Sequence, residues 1–377
     1  MRVALYEPID PAPDPPPFGE SRLTDTLEAA LVGLGHDVSR IPARSPEDAG
    51  RLRRFDNPSE AHRLVTYLQS SSDRRLHLWL SIRVSERAPD AIGATAGAAL
   101  DIPYVLVQPD LGRDDARAAG RADATIVFSS AHAAAARETL PQAGDRLIVL
   151  PPFIDMGPII ARDRTRGMQK AMFATRYRIR TDVPWLIAAG PMATDRDLAS
   201  FRIVARTMAL LPTLDWRLIV AGAGPRQAEV QAMFRSAPLR LDHHLTVSTD
   251  DDLTALLLTG DLFLWPSVDE RFSPTAVAAQ AAGMGVVGGR SPAMADVVDD
   301  GRTGMLTKPG NDVSFANAVA FLLRHPEFRR TYAQQARQWA GANFDLAVVG
   351  PQLDAVLSRI AEDFKRSRPG TAGPTGL

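Results

Sequence analysis

The chain has 377 residues, 45% of them hydrophobic and 23% charged, with a formal net charge of -1 and no cysteine. That length exceeds the usual span of one hydrophobic core, so two domains are expected. Zero cysteine excludes disulfides, thiolate zinc sites and cysteine nucleophiles, and the near-neutral balance gives no global field to draw nucleic acid as the main partner.

From the amino end, VALY at residue 3 is the first strand-like run, and the opening MRVALYEP lacks a signal-peptide core, so a cytoplasmic location is expected. No apolar run approaches the roughly 20 residues that cross a bilayer. A proline-rich stretch from Pro8 to Pro17 then leads through Gly19, Glu20 and Ser21 into the helical pattern TDTLEAALVGLG. A glycine before a helix lets backbone approach a ligand at the positive helix end, but without G-x-G-x-x-G or P-loop spacing an ordinary strand-to-helix loop is the plainer reading. His36, in GLGHDVSRI, shapes the turn from that helix to the second strand.

Apolar runs follow at LHLWLS near 76, YVLVQ near 104, ATIVFS near 124 and RLIVLP near 146, separated by helical stretches such as SSAHAAAARETL. Strand and helix in regular alternation imply a parallel sheet covered on both faces. The segment 156–170, MGPIIARDRTRGMQK, has no clean periodicity and reads as a linker.

A second series comprises PWLIAAG at 184, WRLIVAGAG at 216, HLTVS at 244, DLFLWPS at 261 and GVVGG at 285. Two doubly wound halves fit the length better than one very wide sheet. Near the end, Leu353, Val356, Leu357 and Ile360 form a helical stripe that must pack on something, and 367–377 is a Gly/Pro-rich stretch expected to be a disordered tail.

Three motifs bear on chemistry. In WRLIVAGAGPRQAEV, Gly222 and Gly224 end a strand and Pro225 opens a helix; such a glycine pair suits a nucleotide crevice, and turn formation alone explains it equally well. The run Asp250, Asp251, Asp252 reads as the acidic first turn of a helix capped by Thr249 or Asp250, so no metal is expected there, and the seven histidines show no ligand spacing. In FLWPSVDERFSPTAVAAQAAG, Glu270 lies just past a strand end and the amides of residues 272 to 276 lead a helix start toward the same gap. A carboxylate there would accept from neutral hydroxyls while the amides hold an anion, a pairing suited to a sugar carrying a phosphate; a solvated loop acid is the alternative.

Taken in order, LEAALVGLGHDVSRI, ALDIPYVLV, RADATIVFSSAHAAAA, RLIVLPPFID, DWRLIVAGAGPRQAEV, GDLFLWPSVDERFSPTAVAAQAAGMGVVGG and DVVDDGRTGMLTKPGN resemble glycosyltransferase family 4 of the GT-B fold, from residue 1 to about 365. The resemblance implies an α/β architecture of two Rossmann-like, doubly wound domains facing a cleft. Residues 1–165 would be the acceptor domain, 166–345 the nucleotide-sugar donor domain, and 346–366 a helix crossing back onto the first. It implies a retaining, metal-independent hexosyltransferase-like enzyme that uses a nucleotide-diphosphate sugar as co-substrate and needs no cofactor. The acceptor is left open among glycan, lipid or lipid-linked glycan and small molecule.

Carried over residue by residue, the resemblance gives Glu270 the catalytic role of positioning the donor sugar. It places Gly190, Arg196, Gly222, Gly224, Phe272, Ser273, Pro274 and Thr275 at the donor, and Gly19, Gln108 and Asp110 on the acceptor side. Departures cluster at the same places. Ala278 stands where a second glutamate is expected and Pro191 where a phosphate-binding arginine is expected, leaving Arg196 for the lysine of that pattern. The first domain's histidine is absent near Gln108, Pro109 and Asp110, and Pro292 and Ala293 replace a glycine pair ahead of the acidic Asp296. An active, divergent transferase is the leading expectation. The alternative is a noncatalytic GT-B binding or scaffold protein. A basic face from RLRRF at 51 with Arg74, Arg75, Arg83 and Arg87 would suit peripheral membrane contact, but the interspersed Asp56, Glu60, Asp73 and Glu86 favour a solvated mixed surface.

Overall fold

The computed structural model describes residues 1–8, 21–41, 64–66, 68, 75–82, 90, 92–107, 120–139, 141–211, 214–237, 241–245, 250–268 and 273–368. The first sheet is wholly parallel. Its strands are β1 (Arg2–Tyr6), β2 (Asp37–Ile41), β3 (Leu78–Ile82), β4 (Tyr104–Val107), β5 (Ala124–Val127) and β6 (Leu147–Val149), in the order β2-β1-β3-β4-β5-β6. The second sheet contains β7 (Trp185–Ala189), β8 (Arg217–Ala221), β9 (Leu241–Leu245), β10 (Leu262–Trp265), β11 (Gly285–Gly289) and β12 (Gly304–Thr307), also parallel, in the order β12-β11-β10-β7-β8-β9.

Strands buried on both faces must be apolar at every position, not at alternate ones. That is why YVLV, WLIAA and LFLW are continuous hydrophobic runs and, with LWLSI, are fully buried; the one polar residue among them, Ser81, accepts from Trp79 Nε1–H at 3.0 Å. The two faces still sort by pleat. Val3 and Leu5 join one core cluster while Ala4 and Tyr6 join another.

Beside the first sheet run α1 (Ser21–Gly33), α2 (Gly93–Leu100) and α3 (Ser130–Thr139). The sheets are joined by α4 (Gly157–Asp163) and α5 (Arg166–Tyr177). The second half carries α6 (Asp195–Ala209), α7 (Gln227–Ser236), α8 (Asp250–Thr259), α9 (Pro274–Ala281), α10 (Pro292–Ala295), α11 (Asp312–Arg324) and α12 (Pro326–Asn343).

The last helix, α13 (Leu346–Ser367), does not pack on its chain neighbours alone. Val349, Leu353, Leu357 and Ile360 are buried in the same cluster as Val3, Leu5, Leu27 and Leu31, on the face of the first sheet that α1 also covers. Its entry is fixed by backbone bonds from Ile154 N–H to the Phe344 carbonyl and from Leu346 N–H to the Ile154 carbonyl. His36, buried just after the left-handed Gly35 turn, places Nε2 at 3.0 Å from the Asp354 carboxylate of this helix.

Three details differ from the sequence reading. The segment expected as an irregular linker is helical, because α4 and α5 bury Ile159, Phe173, Ala174 and Tyr177 against the second core while their other faces point outward. The ninth strand lies at 241–245, earlier than the run HLTVS suggested. A twelfth strand, β12, was not anticipated; its four residues pair along the edge strand position beside β11. The acidic run does open a helix at Asp250, while Thr249 and the tail from 369 onward lie outside the described residues.

Fully burying a leucine contributes about 2 kcal/mol, and truncating it leaves a cavity besides. Leu357→Ala is therefore expected to cost about 3 kcal/mol in urea-induced unfolding; a loss no larger than that of an exposed-site control would mean α13 is not part of the first core.

Candidate functional site

In the second sheet the chain runs outward from β7 to β8 and β9, then returns to the other side of β7 as β10, β11 and β12. The topological switch point therefore lies between β7 and β10, where open α/β sheets leave a crevice at the carboxyl ends of the strands. Among the described residues it is bordered by Gly190 to Thr194 after β7, Gly222 to Arg226 after β8, and Pro266 to Val268 after β10 with Ser273 at the start of α9.

The first two loops are locked together. Gly190 N–H donates to Ala221 O at 3.2 Å, Met192 N–H to Ala223 O at 3.0 Å, and Arg226 N–H to Met192 O at 2.9 Å. A methyl on Gly222 would lie 2.3 Å from the Gly190 carbonyl oxygen, and Gly224, at φ +148°, would bring one to 2.5 Å from Met192 O. These two glycines are thus required by the approach of one loop to the other. Gly190 meets a different neighbour, since a methyl there would sit 2.4 Å from the Trp265 ring. Trp265 in turn packs edge-on to Phe201 at 5.4 Å, so the end of β10 is wedged between the β7 loop and α6.

The start of α6 carries its own cap. Thr194 and Asp197 form a capping box, and the buried Asp197 carboxylate accepts from the amides of Ala193 and Thr194 at 3.2 and 2.8 Å. An internal anion thus holds the two peptide donors just ahead of the helix. Arg196, in the same first turn between Asp195 and Asp197, is exposed to solvent, with no hydrogen bond or ion pair among the described residues.

Arg226 is a cation that sequence reasoning missed. It directly follows Gly-Ala-Gly-Pro, forks onto Glu229 at 2.7 and 2.8 Å and also pairs with Asp195. Those hydrogen bonds, Glu229 first, raise its pKa and lower those of both acids. Its position after a strand-ending glycine turn was the available signal.

At α9, Ser273 is the N-cap: its Oγ accepts from Ala276 N–H at 3.3 Å and its carbonyl accepts from the same amide at 3.0 Å. Pro274 has no N–H, so the first turn offers the Thr275 amide and not a broad cradle. Ser267, two residues past β10, is held at φ +36°, an uncommon conformation for a residue with a side chain, with its hydroxyl 3.3 Å from that of Ser291. Ala278 is packed into the hydrophobic core, so that position presents no carboxylate to the crevice. Glu270, Phe272, Gly19, Gln108 and Asp110 lie outside the described residues, as does the run from Arg51 to Phe55. Of the expected residues, the structure brings together Gly190, Gly222 and Gly224, with Arg196 in the first turn of the helix that follows the β7 loop. Ser273, Pro274 and Thr275 sit across the switch point.

One polar contact spans the two halves here. The Asp296 carboxylate, at the end of α10, accepts from Ser130 N–H at 2.7 Å and Ser130 Oγ at 2.7 Å, at the start of α3. An anion at a helix start is stabilised by the free amides and the helix dipole, so this contact draws the halves together. Among the described residues no group of three His, Asp or Glu side chains converges as a metal site.

Residues 201–339 match the family described as glycosyl transferases group 1. The chain carries a group 1 glycosyltransferase domain on a GT-B fold. It is 24% identical over 178 residues to N-acetyl-alpha-D-glucosaminyl L-malate synthase of Bacillus anthracis, an alignment covering 45% of this chain and 46% of that protein. The chain spans about half the length, or less, of the curated relatives it matches. In architecture it is similar to a glycosyltransferase from Rickettsia africae, with a TM-score of 0.77 at 13% identity over 96% of this chain and 99% of that one. It is also similar to HepE of Anabaena solved in complex with UDP-glucose, with a TM-score of 0.70 at 17% identity over 95% and 100%. The resemblance to family 4 fits these matches, and the expected two-domain GT-B fold is the one observed.

Removing the carboxylate in Asp296→Ala is expected to weaken closure of the GT-B halves by about 1 kcal/mol. Small-angle scattering should report a larger radius of gyration with unchanged circular dichroism. Ser130→Ala keeps the amide contact and should give a smaller change; equal radii for all three proteins would show that the contact does not hold the halves.

Proposed function

We propose that the protein is a retaining glycosyltransferase that moves a sugar from a nucleotide-diphosphate donor to a glycan, lipid or small-molecule acceptor. The observation that carries this reading is the position of the switch point, between the β7 loop that leads into α6 and Arg196 and the chain after β10 that continues in sequence through Glu270 to α9. The group 1 family match, and HepE in its UDP-glucose complex, support a nucleotide sugar as the donor class.

In this scheme the acceptor hydroxyl replaces the diphosphate at the anomeric carbon, and its proton leaves with the diphosphate. Glu270 accepts hydrogen bonds from donor-sugar hydroxyls and orients the ring. The departing diphosphate needs positive charge, and side chains supply it without a divalent cation. Because Asp197 accepts from the amides of Ala193 and Thr194 and Arg226 is bound by two carboxylates, Arg196 is the cation among the described residues of the β7 and β8 loops and the α6 start that is left to face the diphosphate, helped by the Thr275 amide. Gly190, Gly222 and Gly224 shape the floor by packing, Phe272, Ser273 and Pro274 border the sugar, and Gly19, Gln108 and Asp110 lie on the acceptor side. An arginine engages phosphate as a planar fork where lysine is a point charge, which fits a donor geometry altered by Pro191 and Ala278.

Titration with UDP-, GDP- and ADP-sugars should raise the melting temperature for one base, with UDP-glucose the first probe. Arg196→Ala should weaken that binding about tenfold, or about 1.4 kcal/mol. Glu270→Gln should slow transfer by about a hundredfold while leaving nucleotide diphosphate binding intact. If no nucleotide sugar shifts the melting temperature, or Glu270→Gln transfers at the wild-type rate, the assignment fails.

A further inference from the structure

We propose that the amino ends of β3 and β4, together with the last turns of α13, form a binding site for a small phosphate ester, separate from the crevice and independent of sugar transfer.

A cavity of about 200 Å³ opens at this place. Its walls come from three segments: Arg75 to His77 ahead of β3, Asp101 to Pro103 ahead of β4, and Ala361, Phe364 and Lys365 of α13. Open parallel sheets keep their crevices at the carboxyl ends of the strands, so this cavity lies at the other end of the first sheet.

The charge on its walls is mostly positive and is not neutralised from within. Arg75 and Lys365 are exposed and have no hydrogen bond or ion pair among the described residues. The acid on the wall, Asp101, is already paired with Arg368 at 2.9 Å, and that guanidinium also lies over the Phe364 ring at 4.5 Å. Arg366 is likewise taken, by Asp363 at 2.7 Å, and Arg2 by Asp37 at 3.5 Å. Arg75 and Lys365 are therefore the cations of this region left over. His77 adds a fixed donor. Its Nδ1 accepts from Arg2 N–H at 3.0 Å, so the neutral ring carries its proton on Nε2. Burial lowers the His77 pKa, and the causes that follow are all cationic: the amino-terminal ammonium, Lys365, Arg2 and Arg75. A guanidinium fork, an ammonium and an imidazole N–H around one cavity match the oxygens of a phosphate dianion, whose charge also relieves their mutual repulsion.

Size and lining narrow the class. The cavity is smaller than the roughly 300 Å³ at which pockets for drug-sized molecules begin, which selects a compact molecule over a whole nucleotide. Leu76, Ile102, Pro103 and Ala361 are buried and, with Phe364, give the remaining wall an apolar surface. A phosphate carrying a short carbon body fills that wall, whereas free phosphate leaves it wet. Because Arg75 stands on the sheet side and Lys365 on the helix, a phosphate held by both fastens the end of α13 to the first sheet.

The test is calorimetric titration of the full chain at constant ionic strength with phenyl phosphate and with inorganic phosphate, sodium chloride serving as the blank. Phenyl phosphate should bind, more tightly than inorganic phosphate, and should raise the melting temperature. Arg75→Ala and Lys365→Ala should each weaken it about fivefold, as for an exposed charge pair. Arg235→Ala, which removes an exposed cation from α7, should leave it unchanged. Both wall side chains are exposed, so the two variants should melt as the wild type does without the probe. In proton magnetic resonance the His77 ring should titrate at higher pH once phenyl phosphate is bound, because an anion offsets the surrounding cations. No binding of phenyl phosphate, or binding that both wall variants leave intact, overturns the proposal. Inorganic phosphate binding as tightly as phenyl phosphate overturns the ester assignment and gives the site to the free ion.

Discussion

A parallel sheet must be covered on both faces, and in this protein one face of the first sheet is completed only by the last helix. Val349, Leu353, Leu357 and Ile360 return from the far end of the second half to sit beside Val3, Leu5 and the α1 residues Leu27 and Leu31. The first core is therefore built from both ends of the described chain. That dependence ties the halves mechanically, through the crossover at Ile154, Phe344 and Leu346 and through His36 with Asp354. The Asp296 contact with Ser130 adds a second, weaker tie on the crevice side. One connection is hydrophobic and extensive, the other polar and small. A joint of that kind can hinge at the polar contact while the helix holds.

The crevice of the second half is shaped by close packing before any ligand enters. Gly190 gives way to an indole, and Gly222 and Gly224 give way to the Met192 backbone and side chain. The buried carboxylate of Asp197 then stabilises the start of α6 from within. On the proposed reading, charge on the donor is met by a side-chain guanidinium more than by peptide dipoles, and such a contribution is the more sensitive to salt. This is the physical sense in which the site departs from the family pattern suggested by its sequence.

Much of the architecture was legible because buried parallel strands are apolar at every position. YVLV, WLIAA and LFLW could hardly be read otherwise. The edge strand β12 was missed because GMLT is short and only alternately buried, so nothing in its composition separates it from a turn. The linker reads as irregular in sequence because its apolar residues are divided between an inward set and an outward set, which blurs the helical period. At the site, Gly222 and Gly224 were visible as a motif, yet their reason, a neighbouring loop at van der Waals distance, was not. Arg226 with Asp195, and Asp296 with Ser130, pair residues from different loops or halves, and no local pattern announces such pairs. The carboxylate expected to orient the donor, Glu270, rests on its sequence position alone.

The return of α13 also bears on how the protein is made. As the chain leaves the ribosome, the six strands of the first sheet emerge early, while the helix that seals one of their faces emerges after the entire second half. Until then, leucines and valines of that face stay open to water or to other chains. Newborn molecules are thus exposed to aggregation for most of their synthesis, and the second half must fold without displacing the groove where the final helix will land.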